Sequence, residues 1–395
     1  MNIVVAHNFY KQMGGEDQCV AAEVAMLRAH GHQVMQYCLS NHSIDAMGRL
    51  ELASRTLWSW PAFRDLRDLF RTHRPQVAHF HNTLPLISPA AYYAARQENV
   101  RVVQTLHNFR LGCVNALLFR DGKICEQCLG RAIPWHGVVH KCYQNSRAAS
   151  AMIATMVSTH RMLGTWQNAI DLYIALSEAS RRKLVEAGLR ASKIVVKPNF
   201  VYPDPGARAG TGGYAVFVGR LSAEKGLETL LEAWRQLGNA PPLKIVGDGP
   251  LGNAVEQASI HHAGVQWLRG VSHESVYELI GQAAFLILPS QCYENFPRVV
   301  IEAFATGTPV IASKLGAMAE IVADGYNGLH FKPGDPGDLA RKVRDILADP
   351  TKLRQMRQSA RKTFDQHFTA AANHKVLTAI YERVMRGRSG TCCSN

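Results

Sequence analysis

Residues 285–303 read FLILPSQCYENFPRVVIEA, and this stretch says more about the architecture than any other part of the chain. Its apolar run Phe285–Leu288 has the continuous hydrophobicity of a strand that is buried on both faces of a parallel sheet. Pro297 suits the first turn of a helix, where the backbone donor that proline lacks is not needed. We therefore predict a buried strand, a loop and a helix in succession.

The same alternation extends to both sides of this stretch. Short apolar and β-branched runs predict further strands at residues 2–6, 77–80, 101–106, 172–175, 194–197, 215–218, 243–246 and 310–312. Helical periods lie between them, for example at Cys19–Ala29, Leu227–Leu237 and Leu339–Leu347. Strands that alternate with helices predict the α/β class with open parallel sheets.

A segment rich in glycine and proline interrupts this alternation at residues 199–213, which read NFVYPDPGARAGTGG. Such segments are typical of linkers between domains. We therefore predict two similar α/β domains, at residues 1–200 and 201–373. Residues 374–395 are predicted to form a final helix that returns to the first domain, followed by a frayed tail.

The composition is that of a globular protein. Hydrophobic residues make up 47% of the 395 residues, which excludes a disordered chain, a collagen and a coiled coil. The chain has no apolar run long enough for a membrane-spanning helix. Its first residues, MNIVVAHNFY, lack the basic start and cleavage site of a secretory signal, so we expect a cytoplasmic protein.

The net charge of +13 is distributed unevenly. Residues 1–198 contain 23 Lys and Arg against 13 Asp and Glu, a balance of +10, whereas residues 199–395 contain 21 against 18, a balance of +3. A basic half is typical of proteins that meet an anionic membrane, a phosphorylated substrate or a nucleic acid. The alternative is a solvated basic surface without such a partner.

Two loops that follow predicted strands of the second half have ligand-binding character. The first, residues 219–226, contains Arg220 and Lys225, whose charges could neutralise a diphosphate at the carboxyl edge of the sheet. The second, residues 247–250, is a Gly-Asp-Gly-Pro turn that lets the backbone approach a ligand. The alternative for the first loop is a solvated turn in which Lys225 pairs with Glu224 or Glu228.

The opening stretch adds two carboxylates to these cations. Glu294 would lie in the loop before the helix, and Glu302 would lie inside the helix, partly buried among apolar neighbours. A buried carboxylate needs partners, and sugar hydroxyl groups are good ones. The backbone amides of Phe296–Val299 would present the positive end of the helix dipole. The alternative is a helix-capping Glu294 and a structural Glu302 bonded to backbone.

The first half contains weaker signals. Gly14 and Gly15 at the first strand–helix junction could approach an anion, or could be a flexible turn. His107 directly follows the predicted strand 101–106 and is either a site residue or a structural histidine. Residues 147–166 have an apolar side, with Met152, Met156 and Leu163, that suits either a membrane interface or an ordinary domain helix.

Four cysteines are concentrated in an insertion-like segment at about residues 108–145. Their spacing is C-x11-C-x2-C-x13-C, and the Cys-x2-Cys pair is a usual half of a structural zinc site. His136 and His140 are spare candidate ligands. The alternatives are reduced cysteines without a metal, or one local disulfide. The predicted zinc ligands are Cys113, Cys125, Cys128 and Cys142.

Taken together, these motifs resemble the family 4 retaining glycosyltransferases, whose GT-B fold has two Rossmann-like domains with parallel sheets facing a central cleft. The resemblance implies that Arg220 and Lys225 hold the diphosphate of a nucleotide-sugar, that Glu302 binds its ribose and that Glu294 binds its sugar. His107 would lie at the cleft near the reacting bond. Further donor contacts are implied for Gly14, Gly15, Gly219, Gly249, Asn295, Phe296, Pro297 and Val299.

The implied activity is transfer of a sugar from a UDP- or GDP-linked donor to a hydroxyl group, with retention of the anomeric configuration. The acceptor would be a glycan or a lipid-linked sugar, in the synthesis of surface polysaccharide, exopolysaccharide or glycolipid. Cations and helix amides can stabilise a departing diphosphate, so no catalytic metal is required. A lipid-linked acceptor would place the enzyme peripherally at the inner face of the cell membrane.

Two other functions are weighed against this one. A GT-B-fold nucleotide-sugar epimerase would share the donor site but would not need an acceptor. A basic nucleic-acid-binding protein would carry a zinc-finger, RNA-recognition or recognition-helix pattern, and the sequence has none. We therefore expect no nucleic-acid partner.

Overall fold

The computed structural model of the protein describes residues 1–12, 14–238 and 241–387, without the side chain of His273. The chain divides into two compact units. The first unit comprises Met1–Leu118, Glu126–Asn199 and the described residues from Asn373 onward; the second comprises Phe119–Cys125 and Phe200–Ala372. The predicted domain boundaries, after residues 200 and 373, each differ from these by one residue. Residues 388–395, within the predicted tail, lie outside the described residues.

The strands are numbered along the chain. They are β1 (Asn2–Phe9), β2 (Gln33–Ser40), β3 (Val77–Phe80), β4 (Arg101–Thr105), β5 (Phe119–Arg120), β6 (Lys123–Ile124), β7 (Leu172–Ala175), β8 (Ile194–Val196), β9 (Ala215–Val218), β10 (Leu243–Val246), β11 (Val265–Leu268), β12 (Phe285–Leu288), β13 (Val310–Ser313) and β14 (Gly328–Phe331).

The α-helices are numbered in the same way. They are α1 (Gly15–Ala29), α2 (Arg49–Leu57), α3 (Trp60–His73), α4 (Ala90–Gln97), α5 (Trp135–Val139), α6 (Arg147–Met162), α7 (Thr165–Asn168), α8 (Glu178–Glu186), α9 (Leu227–Leu237), α10 (Gly252–His261), α11 (His273–Gln282), α12 (Arg298–Ala305), α13 (Met318–Ile321), α14 (Pro336–Leu347), α15 (Pro350–His367) and α16 (Ala370–Arg386).

Each unit contains a six-stranded sheet in which every pair of neighbouring strands is parallel. The order is β2-β1-β3-β4-β7-β8 in the first unit and β11-β10-β9-β12-β13-β14 in the second. The predicted α/β class with parallel sheets is therefore confirmed. The strand order reverses between β1 and β3 and again between β9 and β12, and ligands of such sheets bind beside the carboxyl ends of the strands at these switch points.

Apolar strands and the helices that cover them form a separate core in each unit. In the first unit Phe70, Phe80 and Tyr92 are fully buried, and in the second Phe217 and Trp234 are. Burial of this kind is the main favourable contribution to folding. No helix in the described ranges is both long and apolar enough to cross a bilayer.

Helix α6 packs as a domain helix. Met156 and Val157, on its apolar side, belong to the core of the first unit, whereas Met162 and Leu163 at its end are exposed. The alternative in which this apolar side lies on a membrane is therefore wrong for most of the helix.

Candidate active site

The carboxyl ends of β9 and β12 bring two predicted site residues into contact. Glu294 Oε1 accepts hydrogen bonds from Lys225 Nζ and from Ser290 Oγ, each at 2.6 Å. Glu224, a predicted alternative partner of Lys225, instead accepts a hydrogen bond from Ser222 Oγ at 2.6 Å. Lys225 and Glu294 therefore form one polar centre at the switch point of the second unit.

The charge of Lys225 is favoured by this arrangement. Burial alone would lower the pKa of Lys225, but the carboxylate of Glu294 opposes it and the pKa is raised overall. A quarter of the Lys225 side chain is exposed, so the residue is partly accessible to solvent. Lys225 is thus a cation that Glu294 fixes at the carboxyl edge of the sheet.

The surrounding loops are in close backbone contact at several glycines. Gly226 has a φ of +70°, and a Cβ there would lie 1.8 Å from the carbonyl oxygen of Pro289. Gly247 has a φ of +135°, and a Cβ there would lie 2.0 Å from the carbonyl oxygen of Gly219. Only glycine fits such positions. The close approach predicted for Gly249 is also to protein, because its Cβ would lie 2.5 Å from Leu221 O.

Arg220 lies in the same cluster of loops. Its side chain is exposed, and the next residue anchors the loop through a 2.9 Å hydrogen bond from Leu221 N to Asp248 O. Arg220 is therefore a second cation, besides Lys225, in the loop that follows β9 at the carboxyl edge of this sheet.

Glu302 forms a buried ion pair that the sequence analysis missed. Arg298 Nε donates to Glu302 Oε1 at 2.8 Å within α12, and 8% of each side chain is exposed. Pro297 is the N-cap of α12 rather than a residue of its first turn. Asn295, Phe296 and Pro297 are buried and Val299 is partly buried, so the helix start is rigidly packed.

In the first unit, His107 lines an open pocket of about 490 Å³. Its Nε2 lies 2.9 Å from Nδ1 of His81, which lines the same pocket. Glu16, Asn108 and Arg110 supply further polar groups to the pocket wall. Burial lowers the pKa of His107 well below its usual range, and burial also lowers the pKa of His81 to about 3, so both rings favour the neutral form.

A buried charge network lies behind this histidine pair. Glu23 Oε2 is 3.0 Å from Lys197 Nζ, and Glu23 Oε1 is 2.9 Å from His79 Nδ1 and 3.2 Å from His81 Nε2. Burial alone would raise the pKa of Glu23, but Lys197 and the two histidines lower it well below its usual range. The network therefore contains an ionised carboxylate with a lysine as its counter-ion.

Among the described residues, Glu23, His79 and His81 are the one group of three side chains close enough to share a metal ion. The group does not fit that role well. His79 Nδ1 lies 2.8 Å from Tyr381 OH and its Nε2 lies 2.8 Å from Thr105 Oγ1, so both nitrogens already have partners. Lys197 supplies the positive charge that a metal would bring.

The predicted glycine pair lies at the start of α1. Gly14 is the N-cap of the helix, and a Cβ there would meet nothing within 4 Å, so the space in front of it is open. Its amide donates to Asp17 Oδ2 at 2.8 Å, while Asp17 Oδ1 lies 2.7 Å from His7 Nε2. Gly15 is exposed. The amide of Gly14 is therefore already bonded to a carboxylate, and Gly15 is the exposed residue at this end of the helix.

In the described part of the chain, none of the four cysteines of the insertion forms a disulfide. Cys113 Sγ donates to Asn115 Oδ1 at 2.9 Å and Cys128 Sγ donates to the carbonyl of Pro134 at 3.6 Å. In the described part of the first unit, Cys113, Cys128 and Cys142 do not form a group of three ligands around one point. Zinc binding stays a prediction from spacing: elemental analysis should find about one zinc per chain, lost in Cys125→Ser, and a folded zinc-free protein would contradict it.

Five residues of these clusters were not predicted from the sequence: His81, Glu23, Lys197, Ser290 and Arg298. The sequence did contain a signal for His81. His79 and His81 are two residues apart at the end of a predicted strand, where side chains at this spacing share a face. The spacing of Arg298 and Glu302 is also that of a helical ion pair.

Two family profiles cover most of the chain. The profile of Glycosyltransferase Family 4 matches residues 13–204, and that of Glycosyl transferases group 1 matches residues 202–363. The chain belongs to these glycosyltransferases. The prediction made from the motifs is confirmed at this level.

Relatives in sequence are consistent with this assignment. The glycosyltransferase is 29% identical to an uncharacterized glycosyltransferase of Methanocaldococcus jannaschii over 289 residues, which cover 73% of this chain and 76% of the relative. It is 28% identical to glycogen synthase of Mycobacterium tuberculosis over 328 residues, which cover 80% of this chain and 71% of the relative.

Solved structures show the GT-B fold. Sucrose-phosphate synthase from Thermosynechococcus elongatus matches with a TM-score of 0.71 at 18% identity, covering 98% of this chain and 99% of that one. Anabaena HepE, crystallised in complex with UDP-glucose, matches with a TM-score of 0.67 at 18% identity, covering 97% of this chain and 100% of that one. The glycosyltransferase therefore has the predicted fold type.

Proposed function

We propose that this glycosyltransferase transfers a sugar from a nucleotide-sugar, UDP- or GDP-linked, to a hydroxyl acceptor with retention of the anomeric configuration. The observation that carries the proposal is the contact of Lys225, Glu294 and Ser290 at the switch point of the second sheet. UDP-glucose in the structure of Anabaena HepE supports a nucleotide-sugar as donor. The acceptor is a glycan or a lipid-linked sugar of surface polysaccharide, exopolysaccharide or glycolipid synthesis.

The chemistry follows from the charges of the second unit. Departure of a nucleoside diphosphate builds negative charge, which Lys225 and Arg220 stabilise together with the amides that begin α12. Glu294, held by Lys225 and Ser290, presents its carboxylate to hydroxyl groups of the sugar. Glu302 accepts from the ribose, and its ion pair with Arg298 fixes its orientation. These groups require no catalytic metal.

The first unit offers the acceptor side. The pocket lined by His107, Asn108 and Arg110 has polar groups that can bind hydroxyls, and apolar walls that include Trp166. Gly14 and Gly15, at the start of α1, are the donor contacts that we propose for this unit.

Thermal shifts with a panel of UDP-, GDP- and ADP-sugars test the donor site. One donor class should stabilise the wild type, by about 2.7 kcal/mol at a hundredfold excess over Kd. Lys225→Ala and Glu302→Ala should lose the shift, while Lys332→Ala, an exposed lysine of the second unit, should keep it. Equal shifts in all four proteins would contradict the proposed site.

The epimerase alternative differs from the transferase in that it needs no acceptor. A transferase releases nucleoside diphosphate only when an acceptor is present, whereas an epimerase needs none. Assays with and without extracts of glycan or lipid-linked acceptors separate the two. Nucleic acid is not part of the proposal.

We place the enzyme in the cytoplasm, at the inner face of the membrane. Ile133, Trp135 and Val139 in the cysteine-rich insertion are about half exposed, and Arg131 and Lys141 beside them are exposed cations. An apolar surface with a basic rim suits anionic lipid.

Co-sedimentation with vesicles tests this surface. The wild type should co-sediment with vesicles that contain anionic lipid, and the double variant Trp135→Ser/Val139→Ser should bind them more weakly. Ile260→Ser, at an exposed apolar residue of the second unit, is the matched control. Equal sedimentation of all three proteins would contradict a membrane role for this surface.

A further inference from the structure

A continuous series of short contacts connects a buried lysine to the pocket histidine of the first unit. Lys197 Nζ lies 3.0 Å from Glu23 Oε2, Glu23 Oε1 lies 3.2 Å from His81 Nε2, and His81 Nδ1 lies 2.9 Å from His107 Nε2. Lys197, Glu23 and His81 are almost completely buried, and His107 reaches the pocket. The series therefore transmits the protonation state of a buried carboxylate to a group that a ligand can touch.

The charge at the buried end is fixed. Glu23 is ionised, because an ammonium group lies beside it in a region that water does not reach. An ionised carboxylate can only accept hydrogen bonds. Whatever faces Glu23 Oε1 at 3.2 Å must therefore present a proton or suffer repulsion between lone pairs.

This condition selects one tautomer of His81. A neutral imidazole has one N–H and one bare nitrogen. With the proton on Nδ1, the bare Nε2 would lie 3.2 Å from the carboxylate oxygen and be repelled by it; with the proton on Nε2, the positive end of an N–H dipole lies beside that oxygen, although the two are not aligned as a hydrogen bond. His81 is held in the second form, so its Nδ1 is an acceptor. Burial lowers the pKa of His81 to about 3, which agrees with a neutral ring.

The acceptor role of His81 Nδ1 also fixes which nitrogen of His107 carries the proton. Because His81 Nδ1 is an acceptor, the atom 2.9 Å away, His107 Nε2, must be the donor. We infer that Glu23 and His81 are positioning residues that hold His107 in its Nε2–H tautomer, so that Nδ1 is the nitrogen available to accept a hydrogen bond from a substrate hydroxyl. The use of this acceptor in sugar transfer rests on the proposed function; the tautomer itself does not.

Nuclear magnetic resonance of the full chain labelled with ¹⁵N-histidine measures the tautomer without substrate. Long-range ¹H–¹⁵N correlations distinguish protonated from bare ring nitrogens, and His107→Asn and His81→Asn assign the two rings by loss of their signals. We expect a bare Nδ1 and a protonated Nε2 on both rings at neutral pH. A protonated Nδ1 on either ring, or an imidazolium, would overturn the inference.

A double variant tests whether Glu23 is the cause. Glu23→Gln/Lys197→Met removes the carboxylate and its lysine together, so the variant keeps the charge balance of the buried network. It should lose the single tautomer of His107 and show averaged or doubled nitrogen signals. Glu51→Gln/Arg55→Met, at a partly exposed ion pair of α2, should leave the signals unchanged. Wild-type signals in the folded double variant would contradict the role of Glu23.

The wild-type spectrum decides the tautomer even if the double variant does not fold. Failure of the inference is also distinct from failure of the proposed donor site, since the donor shift depends on Lys225 and Glu302 in the second unit. A donor shift with the wrong tautomer would overturn the inference alone, and the expected tautomer without a donor shift would overturn the donor site alone.

Discussion

Among single residues, Arg298 and Glu302 offer the strongest test of whether a buried ion pair stabilises α12 at the proposed donor site. Both side chains are buried, so Arg298→Met should cost about 3–5 kcal/mol of unfolding free energy, as breaking a buried ion pair does. Replacing both, Arg298→Met/Glu302→Leu, should recover most of that loss. Urea denaturation of the two variants measures the difference.

The control for this pair is the exposed ion pair Glu232–Arg235, where Arg235→Met should leave the unfolding free energy almost unchanged. If the single and double variants at 298 and 302 are equally unstable, the ion pair does not govern the packing of α12. The double variant should also lack the donor shift, because it lacks the carboxylate proposed to bind ribose.

Glu16 makes the stability of the first unit depend on pH. Burial, opposed in part by His7, raises its pKa from 4.5 to about 7, and Tyr10 OH donates to its carboxylate at 2.9 Å. The folded state therefore holds the proton at pH values where the unfolded chain has lost it. Stability due to this group is present below pH 4.5 and is lost as the pH rises towards 7.

Glu16→Gln should accordingly flatten the profile of unfolding free energy between pH 4.5 and 7, and should be more stable than the wild type at neutral pH. Chemical denaturation at several pH values within this window provides the measurement. Glu51→Gln, on the surface of α2, is the control. A Glu16→Gln profile parallel to that of the wild type would show that the carboxyl titrates normally.

At the scale of elements, the central strands could be predicted and three edge strands could not. β9, β10 and β12 have the predicted bounds, because a strand covered on both faces is a mostly apolar run, which only Lys244 interrupts in β10. β2, β11 and β14 lie at sheet edges. In β2 buried and exposed residues are mixed, as in QVMQYCLS, so its sequence carries no such run.

The site residues also differ in whether the sequence alone could reveal them. Residues in a motif, such as Lys225 and Glu294, could be found because loops at the carboxyl ends of strands have recognisable residue types. Glu23 and Lys197 could not, because 174 positions separate them and only the packing of α1 against the sheet brings them together. Long-range pairs of this kind leave no local pattern in one sequence.

Helix α16 is attached to the first unit through a histidine cluster. His374 Nε2 lies 2.9 Å from His32 Nε2, and its ring stacks on His30 with centroids 3.8 Å apart. Burial, with the neighbouring histidines, lowers the pKa of His374; burial, the Met1 amino group and His30 lower that of His32. The unfolded chain then binds more protons below pH 6.5, so stability is lost as the pH falls through this range.

His374→Gln should therefore be less sensitive to acid than the wild type. Thermal midpoints between pH 7 and pH 5 measure the effect, and His261→Gln, on an exposed part of α10, is the control. A variant that loses stability in acid as steeply as the wild type would assign the acid response to other groups.

At the scale of the whole molecule, two sheets of different strand order place polar groups at equivalent points. In the first, His7 of β1 and His81 after β3 flank the reversal of strand order; in the second, Lys225 and Glu294 do. A switch point leaves an unoccupied crevice beside the ends of two strands, whichever order the other strands take. The chemistry of each unit thus follows from topology, while the identity of its ligand follows from the side chains.

The first unit is also discontinuous in sequence, which makes its stability depend on the last described helix. Asn373, Leu377 and Tyr381 of α16 are buried in it. Asn373 accepts a hydrogen bond from Lys197 of the charge network, and Tyr381 OH lies 2.8 Å from His79 Nδ1. A chain that ends at Phe368 should lose hydrogen-exchange protection in β1, β3 and β4 but keep it in β9, β10 and β12. A chain that ends at Gly387 should match the full protein, and unchanged protection of β1 in the shorter chain would show that the network stands without α16.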